Sequence, residues 1–196
     1  MILLASTSPT RKALLESAGV PFRAAAPGVD EDALKAGLLA EGLGPREVAD
    51  ALAEAKAVKL SVREPAALVV GSDQTLDLDG ALLSKPHSVA HARAQLMALR
   101  GRTHRLHAAV VAARSGQPVW RHVETVSLTV RAFSEAWLDT YLHTEGEAAT
   151  ASVGAYRIEG RGVGLFDRVE GDWHAVLGLP LIPLMAWLRA AGELAA

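Results

Sequence analysis

Ile2-Leu3-Leu4-Ala5-Ser6-Thr7-Ser8-Pro9-Thr10-Arg11-Lys12-Ala13-Leu14-Leu15-Glu16-Ser17-Ala18 decides the reading of this chain, because an apolar strand runs directly into a hydroxyl-rich turn and then a helix. Ser8 has the chemistry of an N-cap and Pro9 that of a first helical residue, so the unpaired N–H groups of the helix start point back at Ser6 and Ser8. Arg11 and Lys12 fall in the first turn, where cations oppose the helix dipole unless an anion sits at the same end. Taken alone, the segment reads equally well as a capped helix with two solvated bases.

Working outward, short strands and helices alternate. A second strand is expected at residues 20–25, closed by Pro27-Gly28, with an acidic corner at Asp30, Glu31 and Asp32. Residues 45–60 read as a helix with Val48, Leu52, Ala55 and Lys59 along one side. Residues 66–78 form a strongly apolar strand closed by Asp79-Gly80, a favoured hairpin dipeptide. A helix at 89–99 follows, then strands at 101–113 and 118–132 joined through Ser115-Gly116, and a helix capped by Ser134 that runs through Tyr141. A glycine-rich loop at 154–164, a hairpin around Glu170-Gly171-Asp172 and a terminal helix at 182–194 complete the pattern. This interspersion indicates an α/β protein with a mixed twisted sheet and flanking helices.

Composition narrows the chemistry. The 196 residues are 50% apolar and contain no cysteine, which excludes disulfides, thiolate catalysis and zinc–thiolate sites and accords with a reducing cytoplasm. A formal charge of −2 offers no general attraction to nucleic acid or anionic membrane. No apolar run reaches the roughly 18 residues of a spanning helix. The expectation is a cytoplasmic protein that engages neither nucleic acid nor membrane.

Gly71-Ser72-Asp73-Gln74 is the second concentration of interest, because Asp73 interrupts an otherwise apolar strand near its end, where ligands collect in open α/β sheets. Asp77 and Asp79 share its parity but approach the turn and are expected to be solvated. Lys85, before Pro86, is extended. Gly160, Gly162 and Gly164 match neither a Walker loop nor a dinucleotide fingerprint. Glu159 and Arg161 in that loop read equally as surface charges. His87 and His91 lack a third ligand, and His104 and His107 point to opposite faces of a strand, so neither pair is assigned a catalytic or zinc role. Trp137, Trp173 and Trp187 are too scattered for a base-stacking platform.

The remaining set is an anion-binding helix start, the cations Arg11, Lys12, Lys56 and Lys85, and the acids Glu31, Asp73 and Glu159. It suits phosphoanhydride hydrolysis: bases hold phosphates, carboxylates hold Mg²⁺, and one carboxylate aligns or deprotonates water.

Six ordered blocks then carry a resemblance: Leu4-Ala5-Ser6-Thr7-Ser8-Pro9 with Arg11-Lys12, Val29-Asp30-Glu31, Ala53-Glu54-Ala55-Lys56-Ala57, Gly71-Ser72-Asp73, Ser84-Lys85-Pro86, and Glu159-Gly160-Arg161-Gly162 followed by Val176-Leu177-Gly178-Leu179-Pro180-Leu181. Together they resemble the Maf proteins over essentially the whole chain, read as a single domain of residues 1–196. The resemblance implies a nucleoside triphosphate pyrophosphatase that cleaves between the α and β phosphates with a divalent cation, Mg²⁺ or Mn²⁺. It implies Asp73 as proton acceptor, Ser6, Ser8, Arg11, Lys12, Lys56 and Lys85 as phosphate-binding residues, and Glu31 with Asp73 near the metal. The implied fold is elongated and two-lobed around a central cleft, related in shape to the inosine triphosphate pyrophosphatases, in a family whose members are often homodimers.

Thr10, Gln74 and Glu159 occupy the positions that bear on base preference. Gln74 and Glu159 resemble the branch of 7-methyl-GTP pyrophosphatases, whereas Thr10 departs from the large residue usual there and Ala155-Tyr156-Arg157-Ile158 in part resembles the branch of dTTP/UTP pyrophosphatases, so the preferred base stays open between the two. A housecleaning enzyme for a modified or non-standard nucleotide is the leading reading. The alternative is a nucleotide-binding regulatory protein of cell division with little turnover.

Overall fold

The computed structural model describes residues 1–195. In chain order its elements are β1 (Ile2–Ala5), α1 (Pro9–Ser17), β2 (Phe22–Ala24), α2 (Glu31–Ala40), α3 (Pro45–Arg63), β3 (Leu68–Leu78), β4 (Ala81–Leu83), α4 (Val89–Leu99), β5 (Thr103–Arg114), β6 (Gln117–Val130), α5 (Glu135–Glu145), β7 (Phe166–Glu170), α6 (Trp173–Val176) and α7 (Leu181–Ala190). Short 3₁₀ turns lie at Gly146–Thr150, Val153–Ala155 and Arg161–Leu165. The strands make one seven-stranded mixed sheet, ordered β2-β1-β3-β5-β6-β7 with β4 paired to β3. The chain divides into two compact units.

The first unit holds Met1–Gln74, His107–Thr125 and the segment from Asp172 onward. In it β1 runs parallel to both β2 and β3, with Ile2 opposite Leu68 and Ala5 opposite Gly71. Both faces of these strands are covered, which is why their sequences are nearly unbroken apolar runs. Alternation then sorts the side chains. Leu4, Val70, Val110 and Ala112 face a core shared with Leu15 of α1 and Leu184 and Leu188 of α7. On the opposite face, Ala109, Val111 and Ala113 meet Ala49, Ala53 and Ala57 of α3, while Leu3, Ala5 and Val69 meet Leu60.

The alanines let α3 lie close to the sheet. At Gly71 a Cβ would stand 2.3 Å from the Ala53 carbonyl oxygen and 2.7 Å from the Ala57 nitrogen, so only glycine fits there. The buried stripe of α3 runs through Leu52, Ala53, Lys56, Ala57 and Leu60. This corrects the expected stripe through Ala55 and Lys59: Lys59 is exposed and donates to the Gly28 carbonyl, while Lys56 lies inside the apolar face. Alanine-rich helices carry too little hydropathy contrast to fix the phase of the buried side.

Two further expectations change. Glu31 and Asp32 are not a bare acidic corner but the first turn of α2, which Asp30 caps by accepting the Ala33 N–H at 3.1 Å. Residues 170–172 do not turn a hairpin. Asp172 instead caps α6, accepting the His174 N–H at 2.6 Å.

The second unit holds Thr75–Leu106 and Val126–Gly171. Here β3 and β4 pair antiparallel, Leu76 with Leu83 and Leu78 with Ala81, across Asp79 (φ 54°) and Gly80 (φ 87°), as a tight primed turn requires. Asp77, expected to be solvated, is only 8% exposed. Its Oδ1 accepts the Gly80 N–H at 2.6 Å, so it fixes the turn from inside. Asp79 is exposed and pairs with Arg102.

β6 and β7 pair antiparallel, with Leu128 opposite Val169. The glycine-rich loop folds onto itself: a Cβ at Gly154 would meet the Tyr156 ring at 2.5 Å, and one at Gly162 the Arg157 carbonyl oxygen at 2.5 Å. Among the described residues no helix is long and apolar enough to cross a membrane.

Candidate functional site

The parity of β3 builds the site. Gly71 is the last β3 residue in register with β1, and Asp73, two residues on, presents its side chain to the same α3-covered face. Lys56 precedes Ala57, the residue that rests on Gly71, and its ammonium reaches the side chain of Asp73. Lys56 Nζ lies 2.6 Å from Asp73 Oδ1 and 2.9 Å from Glu31 Oε2, the first side chain of α2. Lys56 is 4% and Asp73 8% exposed, whereas the Glu31 side chain is about half exposed. A buried ammonium is tolerated there because two carboxylates face it.

Ser72 and Gln74 have the opposite parity and point to the other face. The Ser72 hydroxyl is fully buried, 2.8 Å from the Ala109 carbonyl oxygen and 2.9 Å from that of Gly178. Arg11 Nε donates to the same Gly178 carbonyl at 2.8 Å, and its Nη1 reaches Ser6 Oγ at 3.4 Å. Gly178 turns its carbonyl inward at φ +93°, a conformation that favours glycine. Gln74 Nε2 donates to the carbonyls of Ala175 at 2.8 Å and Val176 at 3.0 Å, tying β3 to α6. Burial pushes the Arg11 guanidinium below its ordinary pKa, and the fields of Asp73 and Glu31 act against that shift.

The helix start has the expected form. Ser8 Oγ accepts the Arg11 N–H at 3.4 Å and Ser6 Oγ accepts the Ser8 N–H at 3.2 Å, so both hydroxyls line the turn between β1 and α1. Thr10 and Lys12 stand half-buried in the first turn of α1. The structure thus gathers Ser6, Ser8, Arg11, Glu31, Lys56 and Asp73 in one unit. Lys85 and Glu159 belong to the second unit, each exposed, on the segment after β4 and on the loop before Arg161.

Ser72 and Gly178 are the site residues that the sequence reading passed over. Both sit inside blocks that carried the family resemblance, and the signal available was a hydroxyl directly after the apolar run Leu68-Val69-Val70-Gly71. Among the described residues no three His, Asp or Glu side chains cluster to hold a metal ion. Glu31 and Asp73 nevertheless converge on one point, and two carboxylates completed by phosphate oxygens and water form a donor set suited to Mg²⁺ or Mn²⁺. His87 and His91 pair with each other, Nδ1 to Nδ1 at 2.8 Å, on the surface.

Residues 1–191 match the family model described as Maf-like protein. The chain is 57% identical over 193 residues to a nucleoside triphosphate pyrophosphatase of Caulobacter vibrioides, covering 98% of this chain and 96% of that one. It is 52% identical to a nucleoside triphosphate pyrophosphatase of Rhodospirillum rubrum, covering 98% and 96%. It is also 45% identical to a 7-methyl-GTP pyrophosphatase of Brucella abortus, covering 96% and 94%. A family match along almost the whole chain, with acids and bases gathered just beyond the end of β1 around the middle of β3, places this protein in the Maf-like family.

Proposed function

We propose that this chain hydrolyses a nucleoside triphosphate between its α and β phosphates, releasing a nucleoside monophosphate and pyrophosphate. The observation that carries the reading is the Glu31–Lys56–Asp73 cluster, its lysine and aspartate buried, beside the capped start of α1. In this reading the N–H groups of the α1 start, the Ser6 and Ser8 hydroxyls, Arg11 and Lys12 grip the phosphate chain. Water attacks the α-phosphorus, its proton passes to the Asp73 carboxylate, the bond to the bridging oxygen breaks, and pyrophosphate leaves. Glu31 and Asp73 would hold Mg²⁺ or Mn²⁺, which neutralises phosphate charge when bound. Lys56 adds positive charge for the leaving pyrophosphate, and Lys85 is the further phosphate-binding lysine that the family resemblance implies.

For the base, Glu159 supports a purine, since a carboxylate accepts from the N–H edge of guanine or balances the positive charge of an N7-methylated ring. The name of the Brucella abortus relative supports the same direction. Gln74 and Thr10 are the other two positions in that reading. The chain would work as one catalytic domain, a housecleaning enzyme of the cytoplasm.

The test is a panel of standard and methylated nucleoside triphosphates with separate detection of pyrophosphate and orthophosphate. Pyrophosphate release from at least one, reduced by about a hundredfold or more in Asp73→Asn, is expected. Orthophosphate alone, or no product across the panel, overturns the reading.

A further inference from the structure

We propose that Lys56 is a built-in stand-in for the divalent cation: without nucleotide its ammonium occupies the point on which Glu31 and Asp73 converge, and it keeps free cation out. The inference rests on the reading of those two acids as cation ligands, and concerns when the cation can enter.

Three observations carry it. The first is position. Lys56 Nζ is within 2.9 Å of Glu31 Oε2 and 2.6 Å of Asp73 Oδ1, so the same carboxylate oxygens already have a cation. The second is tethering. Lys56 sits in the buried stripe of α3, and α3 is locked onto β3 by the contact at Gly71, so the competing charge is always at hand and does not dilute away.

The third is charge balance. Glu31 and Asp73 are matched by Lys56 and Arg11, whose guanidinium feels both acids. A free divalent ion entering this neutral group would leave it with surplus positive charge in a largely buried place. A triphosphate with its bound ion arrives with surplus negative charge. Its oxygens also offer the ammonium new acceptors, so Lys56 can turn from the acids to phosphate as the ion takes its place. Cation and nucleotide should therefore enter together.

The experiment is calorimetric titration of Mn²⁺ into the nucleotide-free protein, comparing wild type with Lys56→Met. Lys56→Met should bind Mn²⁺ at least about tenfold more tightly than wild type, and Mn²⁺ should raise its Tm while leaving that of wild type nearly unmoved. Adding Glu31→Gln to Lys56→Met should abolish the gain, which ties the ion to the two acids. Should Lys56→Met fail to fold without metal, Lys56→Gln, which keeps a polar end group without the charge, takes its place with the same expectation. Wild type binding Mn²⁺ as tightly as the lysine variants, or variants that bind no better than wild type, overturns the inference. Because the readout uses neither nucleotide nor turnover, it stands whether or not pyrophosphate release is found. A wild type that releases pyrophosphate yet binds free Mn²⁺ as tightly as the variants refutes this inference alone.

Discussion

Arg11 donates its Nε proton to the carbonyl oxygen of Gly178 at 2.8 Å, a contact that joins positions 167 residues apart. The contact aims a half-buried guanidinium by means of a backbone atom, leaving the Nη groups for Ser6 and for a ligand. Arg11→Lys keeps the charge but loses the planar fork that makes these contacts in two directions. Its KM for the preferred nucleotide should rise by about tenfold or more, with a smaller change in kcat, in steady-state assays. An unchanged KM would show that the aim of the guanidinium does not matter.

Ser72 holds the same Gly178 carbonyl from the strand side, but a hydroxyl has one proton and two carbonyls compete for it. Ser72→Ala leaves both without that donor and should lower stability by about 1–2 kcal/mol in urea unfolding. It should also weaken nucleotide binding, since Gly178 then answers to Arg11 alone. In an Arg11→Lys background the same substitution should have little further effect on KM, the coupling expected of residues sharing one partner.

Gly71→Ala drives a methyl group into the backbone of α3, where the Ala53 oxygen would be 2.3 Å away. The helix must shift outward, at a cost of about 1–3 kcal/mol or more. Lys56 moves with it, so kcat should fall more steeply than stability alone accounts for. Thermal melts paired with kinetics on the folded fraction separate the two effects.

His104 supplies a pH dependence. It is 1% exposed, its Nε2 lies 2.7 Å from the Tyr156 hydroxyl, and its Nδ1 has no partner among the described residues. Burial depresses its pKa to about 4 from an ordinary value of 6.5. Between those values the unfolded chain binds a proton that the folded chain refuses, so this contribution is complete above about pH 6.5 and is lost as pH falls towards 4. The whole span corresponds to roughly 3 kcal/mol. Urea unfolding at pH 7 and pH 5 should show a loss in wild type that His104→Gln largely lacks.

How much of this was legible beforehand depends on whether the signal was local. Ser8, Pro9, Ser134 and the Asp79-Gly80 turn carry their structure in adjacent residues, and the first strand, the two central helices and the long hairpin strands followed from them. Helix α2 was missed because it buries no side chain and so has no apolar period, although Asp30 with Glu31 and Asp32 is a helix-start signature.

In the site, the candidate residues on α1, α2, α3 and β3 could be named from ordered blocks. Their partners could not. That Lys56 lies in a buried stripe depends on the phase of an alanine-rich helix, and that Ser72 and Arg11 share one acceptor depends on a loop more than a hundred residues away. Asp77 read as solvated from its nearness to the turn, yet it is 8% exposed with its Oδ1 held by the Gly80 N–H.

During synthesis, Ser6, Arg11, Glu31, Lys56, Ser72 and Asp73 all leave the ribosome well before Gly178. Until that glycine emerges, the guanidinium and the hydroxyl lack the acceptor they share. An incomplete polypeptide therefore holds the acids and bases without the carbonyl on which Arg11 and Ser72 meet. Vectorial synthesis thus makes the Arg11–Gly178 and Ser72–Gly178 contacts a late event in the life of the chain.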